Sequence, residues 1–152
     1  MVKVGDGTVI YNPNLVWLAP DAEIGKNCRI GNFTEIGKEV RIGDRCKVQA
    51  FVFIPKGVVI GSDVFIGPNV TFTNDRYPGS AGYGKYESTI VEDGAAIGAG
   101  STIRCGITIG QGASIGAGAV VTKDVPAGET WLGNPARKQE CPSCMIDIGG
   151  GC

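Results

Sequence analysis

The sequence predicts an all-β protein wound as a parallel β-helix, and three observations carry that prediction. A large apolar residue recurs every six positions, at Leu18, Ile24, Ile30, Ile36, Ile42, Val48, Ile54, Ile60, Ile66 and Phe72, and again at Val91, Ile97, Ile103, Ile109, Ile115 and Val121. A small or β-branched residue follows each by four positions, from Ala22, Cys28 and Thr34 to Val70, then from Ala95 and Ser101 to Val125. Glycine stands directly after many of the aliphatics, at Gly25, Gly31, Gly37, Gly43, Gly61, Gly67, Gly98, Gly110 and Gly116. An offset of four inside a period of six fits no single helical face. The unit is instead a short strand and a corner, where glycine answers either an unusual backbone angle or the close approach of neighbouring chain. No such unit buries its apolar side alone, so the units stack into a solenoid.

Three hexads close a triangular coil, which sets Cys28 over Cys46 and places Ile24, Ile42 and Ile60 in one column. About fifteen hexads give about five coils, a prism roughly 25 Å long at a strand spacing of roughly 4.8 Å. With 152 residues and 43% hydrophobic content, one domain is expected, over residues 1–137, followed by a cysteine-containing tail at 138–152. Net charge is −1 and there is no basic run, which disfavours nucleic acid and anionic membranes as partners. The opening residues form no apolar leader and no stretch reaches the roughly 18 apolar residues of a span, so a cytoplasmic protein is expected.

Cys28 and Cys46 fall at small inward positions and are expected as reduced core residues. Cys105, in alternation between Ile103 and Ile107, is expected to face outward with no catalytic part. Cys141 and Cys144 form one CxxC ahead of Cys152, and with no second pair and no histidine they argue for no metal site.

The repeat breaks after Phe72 and resumes at Val91. The stretch between, TNDRYPGSAGYGKYEST, holds three of the four tyrosines, and a loop of about 73–89 in so regular a chain reads as functional.

Around that break, FIGPNVTFTND followed by RYP resembles the active-site segment of a hexapeptide-repeat acyltransferase family, the N-acetyltransferases of nucleotide-linked 3-amino sugars. These include the UDP-2,3-diamino-glucuronate and dTDP-3-amino-6-deoxyhexose enzymes. GNFTEIGK, KGVVIG, IGAGSTIRCGITIG, IGAGAVVTKDVP and GNPAR extend the resemblance over residues 16–137. Two departures stand out: Gly79 where the family commonly has arginine, and Val48-Gln49-Ala50-Phe51 where many members carry a histidine. The resemblance implies a left-handed helix, acetyl-CoA as co-substrate without a metal, and a homotrimer whose sites lie between subunits. It places the sugar near Glu35, Lys38, Arg76 and Tyr77. It places coenzyme A along Ala99, Gly100, Ala117 and Gly118, small residues that admit the pantetheine arm, with Lys123 and Arg137 meeting its phosphates.

The chain contains no histidine. That excludes the γ-class carbonic anhydrases, which share the repeat but need three histidine ligands. It also disfavours O-acylation, since a hydroxyl near neutral pH needs a general base. An amine of pKa about 8 already offers free base, so the expected reaction is direct attack on the acetyl thioester without an acyl-enzyme. By resemblance Asn74 accepts a hydrogen bond from the amine and aims its lone pair. Asp75 holds the ammonium form or acts as a weak base, or else closes an Asx-turn. The sequence leaves two other readings open: a non-catalytic β-helix scaffold, and a transferase with another acyl donor or amine acceptor, as in the tetrahydrodipicolinate succinyltransferases. An ice-binding face is excluded, because the outward positions are Lys, Arg, Glu, Asn and Asp rather than regular threonines.

Overall fold

A computed structural model describes residues 1–79 and 87–140. Each hexad contributes a two-residue strand in which an outward residue precedes an inward one, as in Arg29–Ile30, Glu35–Ile36 and Arg41–Ile42. The strands stack as three parallel sheets, the faces of a prism. The first face has six strands, from Lys3–Val4 to Thr108–Ile109. The second has eight, from Val9–Ile10 onward, and ends in Thr130–Gly133 paired antiparallel with Ala136–Lys138. The third has six, from Trp17–Leu18 to Val120–Val121. The fold is a left-handed parallel β-helix. Among the described residues no helix is long and apolar enough to cross a membrane.

The solenoid runs to about seven turns, where the hexad count led to about five. The difference lies mainly at the start. Val4 stacks on Ile24 and Ile10 on Ile30, twenty residues apart, whereas Leu18 stacks on Ile36 at eighteen. Two extra residues around the 3₁₀ turn Pro13–Leu15 shift the first coil out of the six-residue count without shifting it out of the stack.

Every small partner position is buried, and its polar members donate to a backbone carbonyl of the next coil. Cys28 Sγ reaches Gly43 O at 3.1 Å, Cys46 Sγ reaches Gly61 O at 3.0 Å, Thr34 Oγ1 reaches Gln49 O at 3.0 Å and Ser101 Oγ reaches Gly116 O at 3.0 Å. A buried hydroxyl or thiol is thereby satisfied instead of being left at a cost. Burial pushes the Cys46 thiol up to about 12, so it remains protonated and unreactive.

The glycines after the aliphatics answer close approach, and the left-handed angle falls two residues later. A Cβ on Gly31 would sit 2.5 Å from Ala50 N, and one on Gly98 2.5 Å from Ala117 N. The left-handed corner residues are Asn27, Phe33, Glu39, Arg45, Phe51, Asp63 and Asn69 in the earlier coils, with glycine taking most such places later.

Ile60 stacks on Val91 at a separation of 31 where Ile42 and Ile60 differ by 18, so the corner between the third and first faces carries 13 extra residues (31 − 18). The coils above and below keep their register: Phe72 lies on Ile103 and Val91 on Ile109. Cys105 departs from its expected outward position and is fully buried. It sits at the corner directly after the insertion, where Thr73 Oγ1 accepts its N–H at 3.1 Å and the neck of the loop covers it. In an uninterrupted coil the same position is an exposed corner, as at Lys56 and Lys123.

Candidate active site

The inserted segment leaves the prism through Thr73 and returns through Thr89, and both side chains are tied to the next coil. Thr89, fully buried, accepts the Gly106 N–H at 3.2 Å, matching the Thr73 bond to Cys105. Just above this neck Arg76 Nη1 lies 2.9 and 3.1 Å from the two carboxylate oxygens of Glu87, bridging the outgoing and returning strands of the loop. Asp75 Oδ1 accepts the Tyr77 N–H at 3.0 Å, the Asx-turn among its alternative roles. Asn74 is held between these two anchors, half-buried at the root of the loop. Residues 80–86 of the expected loop, and Cys141, Cys144 and Cys152, lie outside the described residues.

Register places the other candidates. Glu35 pairs with Phe53 and Phe53 with Thr71 on the third face, so three residues further on Lys38, Lys56 and Asn74 stack on one corner. Lys56 is held by Glu39 at 3.0 Å, whereas Lys38 has no ion-pair partner among the described residues. Lys123 continues the same corner beyond the loop, since Thr102 pairs with Val120. Arg76, Tyr77, Lys38 and Asn74 are thus brought to one edge, with Glu35 beside them on the third face.

Ala99, Gly100, Ala117 and Gly118 are exposed on a different corner, between the second and third faces, where the Gly118 N–H donates to Ala99 O at 2.8 Å. Gly100 and Gly118 have no atom within 4 Å of a would-be Cβ, so the corner is bare. Five residues of near-extended chain separate the two corners, from Asn69 to Asn74, roughly 16 Å. Within one chain, then, the small-residue corner and Asn74 do not meet. Arg137 lies on the final hairpin, its Nη1 donating to Ala136 O at 2.9 Å.

A shallow depression of about 720 Å³ on the first face holds none of these residues. Its walls are tied by ion pairs: Lys3 Nζ lies 2.8 Å from Glu23, holding that carboxyl below its usual range, with Arg41 at 3.9 Å on the other oxygen. Phe33 and Phe51 escaped the sequence reading although they too lie near the third face. The signal was present as an 18-residue spacing, but at a corner position outside the apolar hexad count.

The bacterial transferase hexapeptide family (six repeats) matches residues 39–74 and 88–123, the two runs flanking the loop. The chain belongs to that family. As a hexapeptide-repeat protein it is 50% identical over 82 residues to the chloroplastic serine acetyltransferase 1 of Arabidopsis thaliana, covering 53% of this chain and 26% of that protein. It is 38% identical over 146 residues to the bifunctional protein GlmU of Thermodesulfovibrio yellowstonii, covering 90% of this chain and 30% of that one. The chain therefore spans less than a third of these curated relatives. Among solved structures it is similar to the acetyltransferase domain of PglB from Neisseria gonorrhoeae in complex with acetyl coenzyme A, with a TM-score of 0.75, 24% identity, and 88% of this chain and 58% of that chain covered. It is also similar to AntD, an N-acyltransferase from Bacillus cereus in complex with dTDP and 3-hydroxybutyryl-CoA, with a TM-score of 0.80, 24% identity, and 91% and 81% covered. Both likenesses establish the fold.

Proposed function

We propose that this protein is an acetyl-CoA-dependent N-acetyltransferase acting on the amine of a nucleotide-linked sugar. The observation that carries the reading is Asn74, half-buried at the root of the one long insertion in the described solenoid, fixed between the Thr73 and Arg76–Glu87 anchors in a chain without histidine. Its amide oxygen accepts a hydrogen bond from the attacking amine and directs the lone pair, a positioning task that needs no titratable group. The nitrogen adds to the thioester carbonyl carbon, the carbon–sulfur bond breaks, and the proton released from nitrogen passes to water or to the departing CoA sulfur. The products are an amide and the free thiol. The PglB domain, solved with acetyl coenzyme A, and the N-acyltransferase AntD, solved with dTDP and 3-hydroxybutyryl-CoA, support the choice of donor and acceptor class. A hydroxyl acceptor, as for the serine acetyltransferase relative, would need a base that this chain does not supply as imidazole.

The separation of the two corners supports a site shared between copies: a thioester carried on the Ala–Gly corner of one protomer is presented to Asn74 of another. With threefold symmetry each copy gives one corner and receives one. Light scattering at micromolar concentration is expected to report three times the chain mass, and a clean monomer would sink the shared site. With two soluble substrates, the reading places the enzyme in the cytoplasm.

The test of function is thiol release from acetyl-CoA across a panel of UDP- and dTDP-linked amino sugars, with the corresponding hydroxy sugars as controls. Release with hydroxy sugars alone would overturn it. The pH profile is a further expected result. kcat/KM rises with pH and levels off near the pKa of the acceptor amine, because the deprotonation belongs to the substrate. A less basic amine moves that limb down by the difference in amine pKa. A limb fixed across acceptors would identify a protein base, with Asp75 the first carboxylate to test.

A further inference from the structure

Phe33 and Phe51 stand one above the other on the corner between the second and third faces, their rings stacked at 4.9 Å and 15°. Both are more than half exposed, at 54% and 55%. Both also hold left-handed backbone angles, φ +57° and +60°, in a column whose later members are Asn69, Gly100 and Gly118. Bulky aromatics are unfavourable in that region, and asparagine or glycine fills it more easily. Burial does not explain them, since the rings point to solvent. Other early corners hold the same angle with Glu39, Arg45 and Asp63, so what sets this corner apart as a surface with a task is the pair of exposed, stacked rings.

The geometry of the third face narrows that task. From Phe51 to Lys56 the near-extended chain covers roughly 16 Å, and Asn74 lies next to Lys56 on the adjoining coil. That span suits an extended nucleoside diphosphate sugar with its base at one corner and its amine at the other. Lys38, without an ion-pair partner among the described residues, stands towards the Asn74 end as a cation for the diphosphate. Beyond Phe51 the corner continues with the exposed Asn69 and then with bare glycine at Gly100.

We propose that the Phe33–Phe51 stack is the docking platform for the base of the nucleotide-linked acceptor, which lies along the third face with its amine at Asn74. This deepens the acceptor reading above and rests on it. A stacked base gains from any π-face, so the platform sets affinity for a nucleotide more than the choice of base. The adenine of coenzyme A is the other planar group at hand. The bare Ala–Gly corner directs that cofactor towards the later coils, away from Phe33.

The test measures binding of UDP, dTDP and CoA to the full chain by titration calorimetry, in the parent and in Phe51→Asn and Phe51→Gly. Both substitutions copy residues already tolerated in the same column, so Tm is expected to stay within about 3 °C. Nucleoside diphosphate affinity is expected to fall about tenfold or more, with CoA affinity and the mass by light scattering unchanged. If the parent binds UDP or dTDP and both variants bind it equally well, the platform is overturned while the acetyltransferase reading stands. If CoA affinity falls instead, the stack holds adenine and the proposal fails. A drop in mass would make the corner, with Trp17 and Phe53 nearby, a contact between copies and would equally overturn it. If the parent binds no nucleoside diphosphate and releases no thiol with any nucleotide amine, the acceptor reading itself fails.

Discussion

Replacing Asn74 with alanine is expected to lower kcat by about a hundredfold or more, the scale on which loss of orientation at a reacting group acts. KM for acetyl-CoA should change little, because the body of the cofactor is assigned to the Ala–Gly corner of another copy and Asn74 meets only the reacting end. Tm should hardly move. Among the described residues Asn74 makes no side-chain bond that ties the loop; Thr73, Thr89 and the Arg76–Glu87 pair do that. The split between kcat and KM therefore reports positioning of the amine rather than damage to the fold. Unchanged turnover would show that the acceptor is aimed from elsewhere. Phe72→Ala is the necessary comparison, since it disturbs the same region through its foundation.

For Phe72→Ala the expected effect is on stability, a loss of about 3–5 kcal/mol from removed contacts and a residual cavity. Phe72 is fully buried, the largest such side chain in the core, and lies in register with Ile103. In a solenoid each coil rests only on its neighbours, so the surrounding chain has little freedom to collapse into the gap. Urea denaturation followed by circular dichroism measures the loss, and Phe72→Leu, nearer in volume, should cost under about 1.5 kcal/mol. A cost for Phe72→Ala below about 1 kcal/mol would mean that the column repacks, contrary to the register described. Activity should fall as well, since Thr73 and Asn74 follow Phe72 directly.

The strands and the interior were legible because the period of the residues is the period of the geometry. Ile30, Ile54 and Ile97 are buried for the reason that made them countable. The first coil was missed because two extra residues near Pro13 break the count while leaving the stack intact. Cys105 was misplaced by a rule of alternation that holds along a strand but not around a corner roofed by an insertion. At the site, the break in the repeat marked the loop, and the resemblance pointed to Asn74 within it. The Thr73 and Thr89 anchors could not be read, since their partners Cys105 and Gly106 lie 32 and 17 residues away and only folding brings them together. Nor could the sequence set Lys123 on the corner of Asn74. Membership of a corner depends on position modulo eighteen, which the 13-residue insertion resets.

That insertion enters and leaves at a single rung, with Phe72 before it and Val91 after it each aligned on the coil beyond. The prism therefore behaves as a socket and the loop as an interchangeable tool. A loop of different length or composition, joined at Thr73 and Thr89, alters no stacked pair and costs little additional closure entropy, which grows only with the logarithm of length. In such an arrangement the equipment at the root of the loop can diverge by exchanging one short segment, while the stacked scaffold is inherited whole.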